Sequence, residues 1–124
     1  MSTRVFLILA AVSALATPAA AAGDAKHGAQ VFAQCAACHS LEEGKAMLGP
    51  NLKAIVGRKA GADEAYVYSP AMRRAGVTWT PETLDAYLKD PQATVRGTKM
   101  PFEGLASDKD RADVIAYLAN PPAK

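Results

Sequence analysis

The sequence has few of the residues from which metal clusters and disulfide scaffolds are built. It holds two cysteines and two histidines in 124 residues. A zinc site would need two Cys or His ligands beside the cysteines. Only His27 and His39 could supply them, and we do not favour a zinc site. The chain also shows no alternating strand pattern, so no βαβ unit is expected.

The net charge of the chain is small as well. A formal charge of +2 at pH 7, with no basic-aromatic repeat, excludes a nucleic-acid-binding protein. The charges are unevenly placed, because residues 45–99 hold nine basic and five acidic side chains. This excess predicts a basic face that docks an acidic partner.

A hydrophobic run long enough to cross a bilayer is missing too. Val5–Ala16 is almost wholly apolar, but a bilayer span needs roughly 20 residues. With Arg4 before it and Ala20–Ala22 after it, the run is typical of a secretory signal peptide. We predict that residues 1–22 are a cleaved signal peptide and that residues 23–124 form one domain. An uncleaved membrane anchor is the alternative.

The chemistry of the chain is concentrated in Cys35-Ala36-Ala37-Cys38-His39. A disulfide at this spacing would close a tight loop with little entropic benefit, and a redox C-x-x-C site needs a βαβ context. On a helix, thiols at i and i+3 share one face, where they can form thioethers with the two vinyl groups along one porphyrin edge. The histidine that follows at once can bring its imidazole to the iron. The motif therefore predicts one covalently bound c-type haem with His39 as an axial ligand.

Helix signals stand at both ends of the predicted domain. Asp24 can cap a first helix that runs to about Ala37, and Ser107 or Asp108 can cap a last helix that stops before Asn120-Pro121-Pro122. Glycine at position 28 would let these two helices cross closely.

Two shorter helices have equally clear entry signals. Ser69-Pro70 opens one that ends at Gly76, and Thr80-Pro81 opens another that ends at Asp90-Pro91. The remainder is rich in glycine and proline, and loops of that length are uncommon in a small domain. A haem wrapped by the loops would explain how they are held.

From Gly28 to Leu118 the chain resembles a class I c-type cytochrome of the mitochondrial and bacterial cytochrome c group. The resemblance implies an all-α class with the small cytochrome c fold: crossed N- and C-terminal helices, plus short helices and loops wrapping one haem. The motifs that carry it, in chain order, are Cys35-Ala36-Ala37-Cys38-His39, Gly49-Pro50-Asn51-Leu52, Gly57-Arg58-Lys59, Thr78-Trp79, Gly97-Thr98-Lys99-Met100 and Asp113-Val114-Ile115-Ala116-Tyr117-Leu118.

The same resemblance implies a set of residues around the haem. Met100 falls where the family has its sixth iron ligand, whereas Met72, and His27 as a second histidine ligand, are weaker candidates. We expect the Pro50 carbonyl to accept a hydrogen bond from His39, and His27 to face solvent. The other implied roles are Tyr87 near the Met100 sulfur, Arg58, Tyr68, Trp79 and Thr98 around the haem propionates, and Phe102 shielding the haem edge.

Two positions depart from the family pattern. Met72 stands where a polar asparagine is common, in a network with Tyr87 and a buried water, and Pro101 stands where an aliphatic residue is more usual. An apolar residue at 72 would thin that network, and proline at 101 removes one backbone N–H and stiffens the loop.

Taken together, these features predict an electron carrier and not an enzyme. We expect a monomeric periplasmic one-electron carrier between a membrane cytochrome bc-type donor and a terminal oxidase or other acceptor. Docking should be transient and use Lys45, Lys53 and Lys99, by their family positions. The alternatives are a small haem peroxidase or sensor, and a membrane-tethered redox module.

Overall fold

The computed structural model describes residues 23–45 and 47–121, which fold into five helices with no strand among them. A single isolated bridge pairs Lys59 with Thr78. The predicted all-α class is therefore confirmed for the described part of the chain. The helices are α1 (Ala25–Phe32), α2 (Pro70–Arg74), α3 (Pro81–Lys89), α4 (Pro91–Thr94) and α5 (Asp108–Ala119).

The predicted helix starts are confirmed, because each has its side-chain cap. Asp24 accepts hydrogen bonds from the backbone N–H groups of Lys26 and His27. Ser69 caps α2, Thr80 forms a capping box at α3, and Ser107 caps α5. These short-range contacts satisfy backbone donors that a helix start leaves free.

Two predicted helix ends need correction. The first helix ends at Phe32, not near Ala37, because the backbone then tightens into turns: Cys35 N donates to Phe32 O at 2.8 Å and Cys38 N to Cys35 O at 3.0 Å. The haem motif thus lies on consecutive turns that extend the helix path. The second helix ends at Arg74, two residues before Gly76.

The short helix α4 was not predicted from the sequence. Asp90 ends α3 and at the same time caps α4, since its carboxylate accepts a hydrogen bond from Ala93 N at 3.1 Å. Asp90-Pro91 signals a helix end and a helix start equally well, and only the end was recognised in the sequence.

The two terminal helices cross where Gly28 was expected to allow it. A Cβ atom at position 28 would overlap the carbonyl oxygen of Asp113 and lie 2.5 Å from its carbonyl carbon. Next to this crossing the rings of Phe32 and Tyr117 pack with their centroids 5.4 Å apart. The backbones of α1 and α5 therefore touch directly, and only glycine fits at the contact.

The expectation that His27 faces solvent is only partly met. Its side chain is 36% exposed, and Nδ1 lies 2.7 Å from a carboxylate oxygen of Asp113. Asp113 is only 4% exposed and also accepts hydrogen bonds from Lys109 and from Asp24 N. These donors, Lys109 first, lower the pKa of Asp113 to about 2. A buried carboxylate needs such partners, so it holds His27 at the helix crossing.

Backbone hydrogen bonds between residues 57–60 and 77–79 position the middle of the chain. Gly57 N donates to Trp79 O at 2.7 Å, Trp79 N to Arg58 O at 2.9 Å, and Ala60 N to Val77 O at 2.8 Å. This ladder fixes Arg58 and Trp79 relative to each other although they are 21 residues apart in the sequence.

None of the helices described in 23–45 and 47–121 is long and apolar enough to cross a membrane. The predicted signal peptide lies outside the described residues.

Candidate functional site

A cavity of about 550 Å³ lies between the terminal helices and the loops. Its lining includes every residue that the sequence nominated for the site, drawn from segments as far apart as the turns after α1 and the loop before α5. The nominated residues in the lining are Cys35, Cys38, His39, Pro50, Arg58, Tyr68, Trp79, Tyr87, Thr98, Met100 and Phe102.

His39 is held in one orientation on this lining. Its Nδ1 lies 2.7 Å from the carbonyl oxygen of Pro50, and because a carbonyl only accepts, Nδ1 carries the proton and donates. Nε2 then keeps its lone pair, as a metal ligand requires. Burial lowers the pKa of His39, partly offset by the hydrogen bond to Pro50, and this favours the neutral imidazole.

The two thiols lie near the imidazole on the same lining. Cys35 and Cys38 are both half-buried free cysteines. Burial raises the pKa of the Cys35 thiol. A raised pKa is the opposite of the lowered one that makes a redox C-x-x-C thiol reactive, and the half-buried thiols remain open to a bond with a cofactor in the cavity.

A thioether reaches the cavity from the loop that follows α4. Tyr87 donates from its hydroxyl toward the sulfur of Met100 at 3.7 Å, and the same hydroxyl lies 2.8 Å from Oγ1 of Thr98. The Tyr87 ring packs on Trp79 with centroids 4.9 Å apart, and burial raises the pKa of Tyr87. The expected contact of Tyr87 with the Met100 sulfur is thus present, while Thr98 directs its hydroxyl to Tyr87.

Arg58 lines the cavity, and one of its guanidinium nitrogens lacks a hydrogen-bond partner. Two of its guanidinium nitrogens donate to the carbonyls of Asn51, at 2.6 Å, and Lys53, at 3.2 Å. Its Nε is buried without a hydrogen-bond partner, the only such side-chain atom in the described part of the chain. A buried donor left over in this way costs free energy, and an anionic group in the cavity would satisfy it. The haem propionates are such groups.

Of the other two described methionines, one lines the main cavity and the other does not. Met72, on α2, is 8% exposed and lines the cavity together with Met100. Met47 is 37% exposed and lies outside it, beside a smaller cavity. Tyr68, predicted near a propionate, accepts a hydrogen bond from Asp63 N at 3.2 Å while its residue lines the main cavity.

The donor set fits a c-type haem. Two thiols, an oriented imidazole, a thioether and an unpaired guanidinium nitrogen surround one cavity. Zinc or an iron–sulfur cluster would call for further cysteines or carboxylates. No group of three or more His, Cys, Asp or Glu that could hold a metal ion exists in 23–45 and 47–121.

Comparison with known proteins decides the family. A family model described as "Cytochrome c" matches residues 25–121. The chain belongs to the cytochrome c family. It is similar to a cytochrome c2 of Rhodomicrobium vannielii, with 51% identity over 100 residues and 80% of each chain covered. It is also similar to a cytochrome c of Tetrahymena pyriformis, with 50% identity over 97 residues, covering 77% of this chain and 87% of the relative.

A solved structure agrees with this assignment. Cytochrome cH from Methylobacterium extorquens superimposes with a TM-score of 0.74 at 45% identity, covering 77% of this chain and 97% of the other. The small cytochrome c fold that the sequence suggested is therefore confirmed. As a cytochrome c, the protein carries one covalently bound haem c and is an electron carrier, not an enzyme.

Reasoning from the sequence missed three residues that help to build this cytochrome's site. Asp113 fixes the helix crossing, Arg111 donates to the Leu105 carbonyl at 2.7 Å, and Gln92 contacts the backbone just before Met100. Asp113 belongs to a motif that was recognised, but nothing local marks Gln92, because its partners are defined only by the folded loop.

Proposed function

We propose that this cytochrome is an exported one-electron carrier whose haem is bound through Cys35 and Cys38, with His39 and Met100 as its axial ligands. It would accept electrons from a membrane cytochrome bc-type complex and pass them to a terminal oxidase or another acceptor. The observation that carries the proposal is the convergence of two thiols, an oriented imidazole and a thioether on one cavity. When bound, the haem supplies an iron that changes its charge by one electron.

Two protein ligands would leave no open position for a substrate. His39 is the only histidine on the cavity lining, so the described residues offer no distal acid–base pair of the kind a peroxidase needs. The soft, neutral thioether of Met100 would favour ferrous iron and raise the reduction potential. Both properties suit electron transfer better than catalysis or gas sensing.

Electrons would pass between the haem and a partner protein that docks close to it. We infer that docking is transient and uses the basic face of residues 45–99. Of the three lysines nominated for it, Lys45 lies 3.6 Å from Glu42 and Lys53 lies 2.8 Å from Glu43. Lys99 instead donates to the Val67 carbonyl and lies 4.5 Å from the centre of the Tyr66 ring, neither of which carries a charge.

This arrangement ranks the lysines. The charges of Lys45 and Lys53 are compensated by their glutamate neighbours. Lys99 lines the cavity, and the two groups that it contacts carry no compensating charge. Lys99 should therefore contribute most to the attraction of an acidic partner.

The place of action follows from the leader. A signal peptide over residues 1–22, cleaved before Gly23, would deliver a monomer to the periplasm, where c-type haem is attached. Mass spectrometry of the protein from its native membrane and periplasmic fractions tests this. A mature chain beginning at Gly23 in the periplasm is expected, and an intact leader in the membrane would instead favour the tethered module.

Optical and redox spectroscopy of the haem-loaded protein tests the ligand set. Ferric protein should show the long-wavelength charge-transfer band of an iron–thioether bond. Met100→Ala should abolish that band, while Met47→Ala, which changes a methionine outside the cavity, should keep it. A titration should fit one electron. A wild-type spectrum of a bis-histidine or open-site haem would overturn the proposal.

A further inference from the structure

Met100 lies in a segment without regular structure, between α4 and α5, and several contacts hold that segment in place. Behind Met100 it is fixed by buried groups: Leu105 N donates to Leu88 O at 2.7 Å, and Arg111 donates to Leu105 O at 2.7 Å. These contacts tie this end of the segment to α3 and α5.

In front of Met100 the exposed side chain of Gln92 contacts two residues of the loop. Gln92, on α4, donates from Nε2 to the Thr98 carbonyl at 2.8 Å and accepts at Oε1 from Gly97 N at 3.1 Å. Both polar ends of the amide are thus bound to two consecutive residues of the loop. A surface glutamine would otherwise be solvated at little cost, so this bracing is a specific feature of the loop.

The bracing continues through Thr98 to the sulfur. Gln92 holds the backbone of Thr98, the hydroxyl of Thr98 bonds to Tyr87, and the Tyr87 hydroxyl points to the Met100 sulfur. Displacing Thr98 would therefore disturb both the chain that leads to Met100 and the group that contacts its sulfur.

We infer that Gln92 is a positioning residue for Met100, which it keeps on the iron by bracing Gly97 and Thr98. This inference rests on the proposed function, because it takes Met100 as an iron ligand. Since Gln92 is exposed and α4 has only four residues, its loss should open the Met100 loop locally, and the free energies of loop opening and of unfolding should fall by about the same small amount.

Competition by an added ligand measures that opening. Imidazole can bind the ferric iron only when Met100 has left it, so its apparent affinity reports the population of the open loop. The haem-loaded mature protein is titrated with imidazole at one neutral pH, and loss of the iron–thioether band is followed. Gln92→Ala should bind imidazole roughly fivefold more tightly, as expected for two hydrogen bonds with a small net contribution.

A second variant separates the two hydrogen bonds. Gln92→Glu keeps an acceptor for Gly97 N but cannot donate to Thr98 O, and a carboxylate facing that carbonyl is repelled. It should therefore also bind imidazole more tightly than wild type. Gln30→Ala, which removes an exposed glutamine from α1 far along the chain from Met100, is the matched control and should leave the affinity within about twofold of wild type.

The outcomes distinguish this inference from the proposed function. If the wild-type protein lacks the iron–thioether band, the ligand assignment fails first. If the band is present but Gln92→Ala matches the Gln30→Ala control, the positioning role is overturned. It is also overturned if Gln92→Ala lowers the free energy of unfolding by much more than the free energy of loop opening, since the residue would then support the fold as a whole.

Discussion

Gly49 lies directly against the imidazole of His39. A Cβ atom at position 49 would fall 2.5 Å from Cε1 and 2.8 Å from Nδ1 of that ring, which is too close for any side chain. Together with the hydrogen bond to Pro50, this contact leaves the ring one orientation, so two consecutive residues of the Gly49-Pro50 motif fix the predicted ligand.

We therefore expect Gly49→Ala to displace His39. The extra methyl group must push the ring away from the Pro50 carbonyl, and overpacking of this kind costs about 1–3 kcal/mol. The free energy of unfolding of the haem-loaded protein and its ferric spectrum measure the effect. Gly49 is not among the described glycines with a positive φ, so a loss at this position reports the ring contact and not the backbone conformation. An unchanged ferric spectrum together with an unchanged free energy of unfolding would contradict the contact.

At the helix crossing, the sign of the stability change caused by Gly28→Ala is the test. Glycine in the interior of a helix is about 1 kcal/mol less favourable than alanine, so Gly28→Ala would stabilise an isolated α1. Because the new Cβ would overlap the Asp113 carbonyl, we expect destabilisation by roughly 1–3 kcal/mol or more. Chemical denaturation measures it, and a stabilised variant would show that α1 and α5 do not cross as closely as described.

Asp113 should make stability depend on acid pH. Its folded pKa of about 2 lies below the ordinary value of 3.8, so its ion pairs stabilise the fold above the ordinary pKa and are lost as the pH falls through about 2. Asp113→Asn should be less stable than wild type at neutral pH. The difference between the two should shrink between about pH 4 and pH 2.

Denaturation of both proteins across this pH range tests the linkage. A constant difference between Asp113→Asn and wild type would mean that the Asp113 carboxylate has an ordinary pKa in the fold.

Docking should depend on Lys99 more than on the paired lysines. Lys99→Gln should lower the association rate with an acidic redox partner at low salt and flatten its dependence on ionic strength. Lys53→Gln removes a charge that Glu43 already compensates, so its effect should be smaller. Stopped-flow rates over a salt series measure both. Equal effects of the two substitutions would contradict the ranking.

The sequence predicted what depends on local contacts or on a recognised motif. The caps at Asp24, Ser69 and Thr80 act within three residues, and the haem residues follow motifs in a known order. What was missed depends on distance. The contact of His27 was missed because its partner Asp113 lies 86 residues away, and Gln92 carries no signal because its partners are backbone atoms of a loop.

Arg58 offers the most direct test of where the haem propionates lie. Its Nε is buried without a partner, and we expect a propionate to accept from it. Arg58→Leu would remove a cation beside the haem and leave that propionate uncompensated, and both changes favour ferric iron. The reduction potential should fall by roughly 40–90 mV, the equivalent of about 1–2 kcal/mol for one electron.

The fall in potential separates this role from a purely structural one. Arg58 also donates to the carbonyls of Asn51 and Lys53, so Arg58→Leu should lose stability in either case. Arg58→Lys restores the charge and should recover most of the potential, though not the fork of hydrogen bonds. Arg96→Leu removes an exposed cation outside the cavity lining and should shift the potential much less. If Arg58→Leu and Arg96→Leu shift it equally, the guanidinium acts only through net charge and the propionates lie elsewhere.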